Sequence, residues 1–277
     1  YRSIRRLADL GRQFAKGRFQ EELFSLFQRL LLNEDGIYYE MLKQLVSSVD
    51  TDSLKTLGIN IGYNSWTCGA SRLRQITAEK DYPHWLAEIS LSPESSASQL
   101  KEQLSAALKN GTYAFRLHLP AQSITTDTRQ LGLIREFPDC SFFLDFMDTD
   151  CTYSDDLLEL TCSCDNLAFL VPFGSLQSRQ LVDLLNARQR IYGVCRTYDN
   201  TNAAERISDS QISEMLSWGS PLLFFLAAAD TTQDNRLLVD NAILDARLHQ
   251  TYPALLIHLD ADVARIQQLL LSSRKNL

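Results

Sequence analysis

Residues 86–119 read LAEISLSPESSASQLKEQLSAALKNGTYAFRLHL, and this stretch decides the fold class. A short β-rich run at 86–92 is followed by a run with helical periodicity at 97–109 and by a second β-rich run at 113–119. Between them, Asn110-Gly111 ends the helix with a residue pair that tolerates left-handed backbone geometry. Alternation of this kind is typical of a parallel sheet or barrel.

The same alternation continues to the end of the chain. Strands are predicted at 86–92, 113–119, 141–147, 167–173, 192–197, 222–228 and 254–259. Helices are predicted at 97–109, 126–137, 154–161, 178–189, 208–218, 235–249 and 261–273. The pattern predicts an α/β protein, namely a partial TIM-like (β/α) barrel of six to eight parallel strands.

The first part of the chain has a different pattern, which predicts a helical prefix. An apolar stripe at helical spacing is surrounded by basic residues, and it consists of Ile4, Leu7, Leu10 and Phe14. A further helix is predicted at 37–48. We expect residues 1–80 to form a helical region packed on a barrel at 81–277. The alternative is a basic amphipathic surface for a partner or an anionic membrane.

Residues 57–63 are ambiguous between strand and helix. Their isoleucines and glycines suit a strand, which would give the barrel eight strands. Asp50 and Asp52 ahead of them would equally cap a helix.

Bulk composition narrows the possible partners. The chain has 277 residues and a net charge of −7, and its pI is about 5.2. These values argue against a nucleic-acid partner bound through a broad basic surface. The longest apolar run, at 221–229, is far shorter than the roughly 20 residues of a membrane span. We therefore expect a cytoplasmic protein without a transmembrane segment, whose six cysteines are free thiols.

Several catalytic and cofactor-binding motifs are missing from the sequence. No GxGxxG follows a predicted strand, and no GxxxxGK[ST] loop occurs, so dinucleotide and P-loop sites lack support. HExxH and GxSxG are absent as well. No cysteine pair has the CxxC spacing of a metal site.

Residues 81–92, DYPHWLAEISLS, resemble the lead-in to the barrel of a subgroup of radical SAM proteins. In that subgroup an "IPW" is followed by an apolar strand and a "DPT", which leads into a cysteine loop. Pro83, Trp85 and Pro93 occupy the matching places. Further similar segments lie at 38–50, 59–76, 136–148, 165–175 and 191–202, so the resemblance covers most of the chain. It implies a radical SAM-like barrel, with 57–63 in the helical prefix.

The departures from the family fall on its chemistry. Family members hold a [4Fe–4S] cluster with three cysteines after the first strand, but here Ser92-Pro93-Glu94-Ser95 leads directly into the next helix. The family's Gly-Gly-Glu motif after the second strand is replaced by Leu-His-Leu-Pro at 117–120. The chain is thus identified as a degenerate member of the radical SAM superfamily. We expect no iron–sulfur cluster, no other metal and no cofactor, and a pseudoenzyme that binds a protein or peptide partner.

Polar residues within the strands are expected to face the barrel lumen, because the outer faces of parallel strands pack on apolar helices. Several lie near carboxyl ends of strands, where barrel enzymes place their sites. The candidates for binding a ligand are Glu88, Ser90, Arg116, His118, Asp145, Arg196, His258 and Asp260.

Two interpretations of these residues remain open. Glu88 and Asp145 would balance Arg116 and Arg196 in mutual salt bridges. Alternatively, the arginines would bind the carboxylate or phosphate of a small molecule or peptide in the lumen. In a second functional hypothesis the chain is an enzyme, with His118, Glu88 or Asp145 as acid–base groups for non-radical chemistry.

Overall fold

The computed structural model describes residues 35–76, 83–91, 96–119, 128–146 and 162–272, together with Ser25, Gln28, Arg29, Leu32 and Glu159. The strands are β1 (Leu86–Ser90), β2 (Ala114–Leu119), β3 (Ser141–Phe146), β4 (Leu167–Pro172), β5 (Tyr192–Tyr198), β6 (Leu222–Ala227) and β7 (Leu255–His258). The helices before β4 are α1 (Ile37–Ser48), α2 (Thr51–Ile59), a π-helix (Asn60–Gly69), α3 (Ala70–Ile76), α4 (Ala97–Lys109), α5 (Thr128–Gly132) and a 3₁₀ turn (Leu133–Glu136). Those after β4 are α6 (Leu176–Ala187), α7 (Ala203–Arg206), α8 (Asp209–Leu216), α9 (Gln233–His249) and α10 (Leu259–Ser272).

The described strands form one parallel sheet in the order β1 to β7. The sheet curls into a half-barrel with helices outside it, which confirms the predicted α/β partial TIM-like fold. All seven predicted strands are present, and the helix predicted at 97–109 has those bounds. The helix predicted at 126–137 is split into α5 and the 3₁₀ turn.

The outer face of the sheet packs on the helices and forms the main core. Phe115, Leu144 and Phe169 of the strands are fully buried there against helix residues such as Leu104 and Ile243. Strands buried on both faces need apolar residues on both, and β6 accordingly reads Leu-Leu-Phe-Phe-Leu-Ala.

The inner face has a polar part on β1–β3 and an apolar part on β4–β7. Helix α10 packs on the apolar part, where Leu259 and Val263 contact Leu170 and Phe224. The same helix also meets the start of β1, since the indole Nε1 of Trp85, just before this strand, donates to the carbonyl of Val263 at 3.0 Å. Leu270, near the end of the helix, packs with Trp85 and Leu86. The lumen is thus largely occupied by α10, and its polar part lies at the carboxyl ends of β1–β3.

The N-terminal helices pack at the amino ends of the strands. Asp50 caps α2, because its Oδ2 accepts from the backbone N–H groups of Asp52 at 3.0 Å and Ser53 at 2.9 Å. The amide Nδ2 of Asn60 donates to the carbonyls of Pro138 at 2.8 Å and Cys140 at 2.9 Å, just before β3. Residues 57–63 are therefore helical, as the family resemblance implies.

Two sequence-based predictions fall outside the described residues. They are the apolar stripe from Ile4 to Phe14 and most of the helix at 154–161. The boundary near residue 80 between a helical region and the barrel stays a prediction. Among the described helices, none is both long and apolar enough to cross a membrane.

Candidate functional site

Strand register brings four charged or titratable side chains together at the carboxyl ends of β1–β3. Glu88 pairs with Arg116, and the next inner level pairs Ser90 with His118 and His118 with Asp145. Paired positions of parallel strands point to the same face, and this face is the inner one. We call Glu88, Arg116, His118 and Asp145 the rim cluster.

Arg116 is the centre of the rim cluster. Its Nη1 donates to Oε1 of Glu88 at 2.9 Å, while Nε and Nη2 donate to Oδ2 of Asp145 at 2.9 and 2.6 Å. The side chains of Arg116 and Asp145 are each 7% exposed, whereas that of Glu88 is 54% exposed. The predicted salt bridges are therefore present for Arg116, and they satisfy charges that would be costly to bury unpaired.

His118 lies between the two carboxylates. Its Nε2 is 3.4 Å from Oε2 of Glu88, and its Nδ1 is 3.2 Å from Oδ2 of Asp145, although Nδ1 has no well-aligned hydrogen bond. The contact with Asp145, followed by that with Glu88, raises the pKa of His118. The hydrogen bond from His118 and the charge of Arg116 lower the pKa of Glu88 to about 2, although partial burial opposes the shift.

The rim cluster is electrically balanced when His118 is protonated, with two cations and two anions. The groups that it offers to solvent are the ionised carboxylate of Glu88 and, beside it, the exposed Ser90. These are hydrogen-bond acceptors for a ligand. The segments that follow the three strands, at 92–95, 120–127 and 147–158, lie outside the described residues.

Arg196 was predicted to face the lumen, and this prediction is wrong. It pairs with Phe225, which belongs to the outer core. Its guanidinium lies 4.8 Å from the ring centroid of Phe173, and its Nη1 is 3.9 Å from Oε2 of Glu214 on α8. A polar strand residue can face the helix layer when that layer supplies an aromatic ring and a carboxylate.

His258 and Asp260 are also outside the lumen. His258 faces α9. Its Nε2 is 2.7 Å from the hydroxyl of Tyr198 on β5, and its Nδ1 is 3.3 Å from Oδ1 of Asp240 on α9. Strand β7 ends at His258, so Asp260 lies in the first turn of α10. There it accepts a hydrogen bond from Arg236 at 3.2 Å. The polar contacts between β7 and α9 show that strand residues facing the helices are not all apolar, contrary to the expectation from sequence.

Sequence reasoning missed the polar groups that receive these outer-face residues. Asp240, which meets His258, lies within α9, and Glu214, which meets Arg196, lies on α8. For Arg196 a signal was present, because Tyr192, Val194 and Tyr198 share its face of β5 and are all large or apolar. For His258 the short β7 gave no such signal.

Two of the described thiols do not fit the iron–sulfur cluster of the family that the sequence resembles. Cys140 and Cys195 are buried, and burial raises the pKa of Cys140 to about 12 and that of Cys195 well above its ordinary value. Cluster ligation requires thiolates, which such burial disfavours. Cys140 precedes β3 at the amino end of the sheet, away from the end of β1. Within the described ranges, no three His, Cys, Asp or Glu side chains form a group that could hold a metal ion.

No family model and no curated protein matches the sequence. Among solved structures, Streptococcus suis SuiB is similar, with a TM-score of 0.46 and 7% identity over 62% of this chain and 48% of SuiB. SuiB bound to S-adenosylmethionine gives a TM-score of 0.46 and 8% identity, covering 62% of this chain and 46% of SuiB. The chain therefore spans about half the length of these structures, and a likeness at this level carries no argument about function.

Proposed function

We propose that this chain is a non-catalytic binding protein built on a radical SAM-like half-barrel, and that the rim cluster holds its ligand. One observation carries the proposal. The guanidinium of Arg116 is buried and bonded to two carboxylates, while the carboxylate of Glu88 is half exposed beside it. The arginine is committed to internal pairing, so an ionised carboxylate is the group that meets the ligand.

This arrangement selects a class of ligand. A carboxylate with a pKa of about 2 keeps its charge at any physiological pH. Glu88 and Ser90 both accept hydrogen bonds, so the favoured partner carries N–H donors. A charge-assisted hydrogen bond between ammonium and carboxylate is among the stronger polar contacts in proteins. We propose an amine-bearing small molecule or peptide as the ligand.

The absence of radical chemistry is part of the same proposal. No cysteine occurs between β1 and α4 in the sequence, and the buried thiols at 140 and 195 lack the exposure and low pKa of metal ligands. His118 is 9% exposed at its side chain and has a carboxylate near each ring nitrogen. A histidine held in this way supports the geometry of Glu88 rather than transferring protons to a bound molecule.

Calorimetric titration with a panel of primary amines, amino-acid amides and short peptides tests the proposal. Each member is paired with its N-acetylated counterpart, which lacks the ammonium group. We expect an amine to bind the native protein, and both acetylation and Glu88→Gln to weaken binding by about tenfold or more. Glu102→Gln is the matched control, because Glu102 is exposed on α4, away from the rim cluster. The proposal fails if no amine binds, or if Glu88→Gln binds as the control does.

The contact between His118 and Glu88 also favours a second candidate, an enzyme that uses the pair as acid and base. A raised pKa keeps His118 protonated nearer to neutral pH, as a general acid requires. NMR spectra of the bound amine, recorded over time, distinguish the enzyme from the binding protein. Turnover that His118→Gln abolishes without weakening binding would establish the enzyme, whereas an unchanged ligand spectrum supports the binding protein.

A further inference from the structure

A second group of polar side chains lies on the outer face, at the carboxyl end of β5. It consists of Arg196 on β5, Arg206 at the end of α7, and Gln211 and Glu214 one turn apart on α8. We call these four residues the arginine cluster. It is separate from the rim cluster, because Arg196 faces the helices while Arg116 faces the lumen.

Three buried polar atoms of the arginine cluster have no hydrogen-bond partner in the described part of the chain. They are Nη1 of Arg196, Nε of Arg206 and Oε1 of Gln211. The nearest carboxylates do not supply these bonds. Nη1 of Arg196 is 3.9 Å from Glu214, and the ion pair of Arg206 with Glu205 is also 3.9 Å long. Such distances exceed those of hydrogen bonds. Buried polar atoms are hydrogen-bonded in the great majority of cases. The two guanidinium atoms, with the Gln211 oxygen one turn from Glu214 on α8, therefore indicate a ligand.

An aromatic stack holds Arg196 in position. Its guanidinium lies 4.8 Å from the ring of Phe173, whose centroid is 4.5 Å from that of Trp218. On the other side, Arg179 lies 5.7 Å from the Trp218 ring. A guanidinium fixed on an aromatic face is oriented before a ligand arrives, which reduces the entropy lost on binding.

The charges favour an anion. Burial, followed by the nearby charge of Arg206, lowers the pKa of Arg196. The carboxylates of Glu205 and Glu214 oppose this shift. Each lies 3.9 Å from a guanidinium nitrogen, beyond hydrogen-bond distance, so a bound anion would supply bonds that these carboxylates do not. Arginine is also the residue that matches the oxygen geometry of phosphate and carboxylate groups.

We propose that the arginine cluster binds inorganic phosphate. The unpartnered atoms are two donors and one acceptor, and a hydrogen phosphate offers both anionic oxygens and a hydroxyl proton. An ionised carboxylate or a sulfate offers acceptors alone and leaves Oε1 of Gln211 without a donor. The proposal does not depend on the function of the rim cluster.

Calorimetric titration with inorganic phosphate tests this site, with sulfate and acetate as comparison anions. The native protein should bind phosphate saturably and more tightly than sulfate or acetate. Arg196→Gln and Arg206→Gln should each weaken phosphate binding by about tenfold. Arg188→Gln is the matched control, since Arg188 is exposed directly after the last residue of α6 and its substitution removes the same charge.

Arg206 is 28% exposed at its side chain, so its substitution keeps the test valid if Arg196→Gln fails to fold. If the native protein does not bind phosphate, the proposal is overturned. Equal binding by Arg206→Gln and Arg188→Gln would overturn the location. Sulfate binding as tight as phosphate binding would overturn the assignment of Gln211 as the acceptor.

Discussion

Arg116 determines the electrostatics of the rim cluster. It is the one cation that bonds both Glu88 and Asp145, and two of its three bonding nitrogens serve Asp145. Asp145 is 7% exposed at its side chain, so its charge depends on this partner. Burial alone would lower the pKa of Arg116, but the two carboxylates more than offset it and raise that pKa. The pairing is therefore mutual, and the removal of either partner takes the strongest ion pair from a buried charge.

Arg116→Met should lower the free energy of unfolding by about 3–5 kcal/mol, because buried Asp145 then loses both hydrogen bonds from Arg116 and keeps only the poorly aligned contact with His118. Urea denaturation measures the loss. Arg188→Met, at an exposed position, should change stability by less than about 0.5 kcal/mol. The double variant Arg116→Met with Asp145→Leu should regain most of the loss. A single variant as stable as Arg188→Met would contradict the buried pair.

His118 should make stability depend on pH. Its pKa in the folded protein is raised above the ordinary value of 6.5. Its stabilisation is then fully present below about pH 6.5 and is lost as pH rises through the folded pKa. The difference in free energy of unfolding between the native protein and His118→Gln should therefore shrink as pH rises. Denaturation at a series of pH values measures it.

Glu88→Gln provides the comparison for this pH dependence. It removes one of the two carboxylates that raise the pKa of His118. The stabilisation should then be smaller, and its loss should be complete at a lower pH than in the native protein. A stabilisation by His118 that grows with pH would show that the imidazole is held neutral instead.

At the scale of elements, the sequence predicts strands better than the direction of their side chains. Seven strands follow from β-rich runs between helical runs, because that periodicity is local. Glu88, Arg116 and Asp145 were correctly placed on one face, since their strands alternate between polar and apolar residues. Arg196 was misplaced because the facing helix carries Glu214, which only the tertiary packing reveals.

The position of α10 inside the half-barrel could not be predicted from its own sequence. Its amphipathic pattern shows that one face is buried but not against which surface. The contact is specified instead by scattered residues. Trp85 donates to Val263, and Arg74 donates to the carbonyl of Leu270 at 2.7 Å.

The π-helix packs against the start of β2 through a contact between two glycines. A Cβ added at Gly69 would lie 2.3 Å from the carbonyl oxygen of Gly111, which is backbone and cannot move aside easily. Gly69→Ala should therefore destabilise the protein by about 1–3 kcal/mol. Gly58→Ala is the matched control, because nothing lies within 4 Å of its added Cβ.

In that control the change should stabilise α2 by about 0.5–1 kcal/mol, because alanine has the higher helix propensity. Thermal unfolding of both variants compares the two glycines. Equal stabilities would show that the helices at 37–76 do not pack closely on the sheet at this point.

At the scale of the whole molecule, the inner face of the half-barrel is divided between an apolar part and a polar part. Helix α10 and the apolar residues of β4–β7 fill one part of the inner face. The rim cluster lies on β1–β3, at the carboxyl ends where barrels place their sites. This division places the charged side chains of the inner face where the proposed ligand would bind.

Anaerobic reconstitution with iron and sulfide is the sharpest test of the proposal that this chain binds a ligand without an iron–sulfur cluster. After removal of free iron, we measure the iron and sulfide retained per chain together with the visible absorption spectrum. We expect no stoichiometric iron or sulfide and no cluster absorption band, because the thiols at 140 and 195 are buried and the sequence has no cysteine between β1 and α4. A stoichiometric [4Fe–4S] cluster would contradict this proposal.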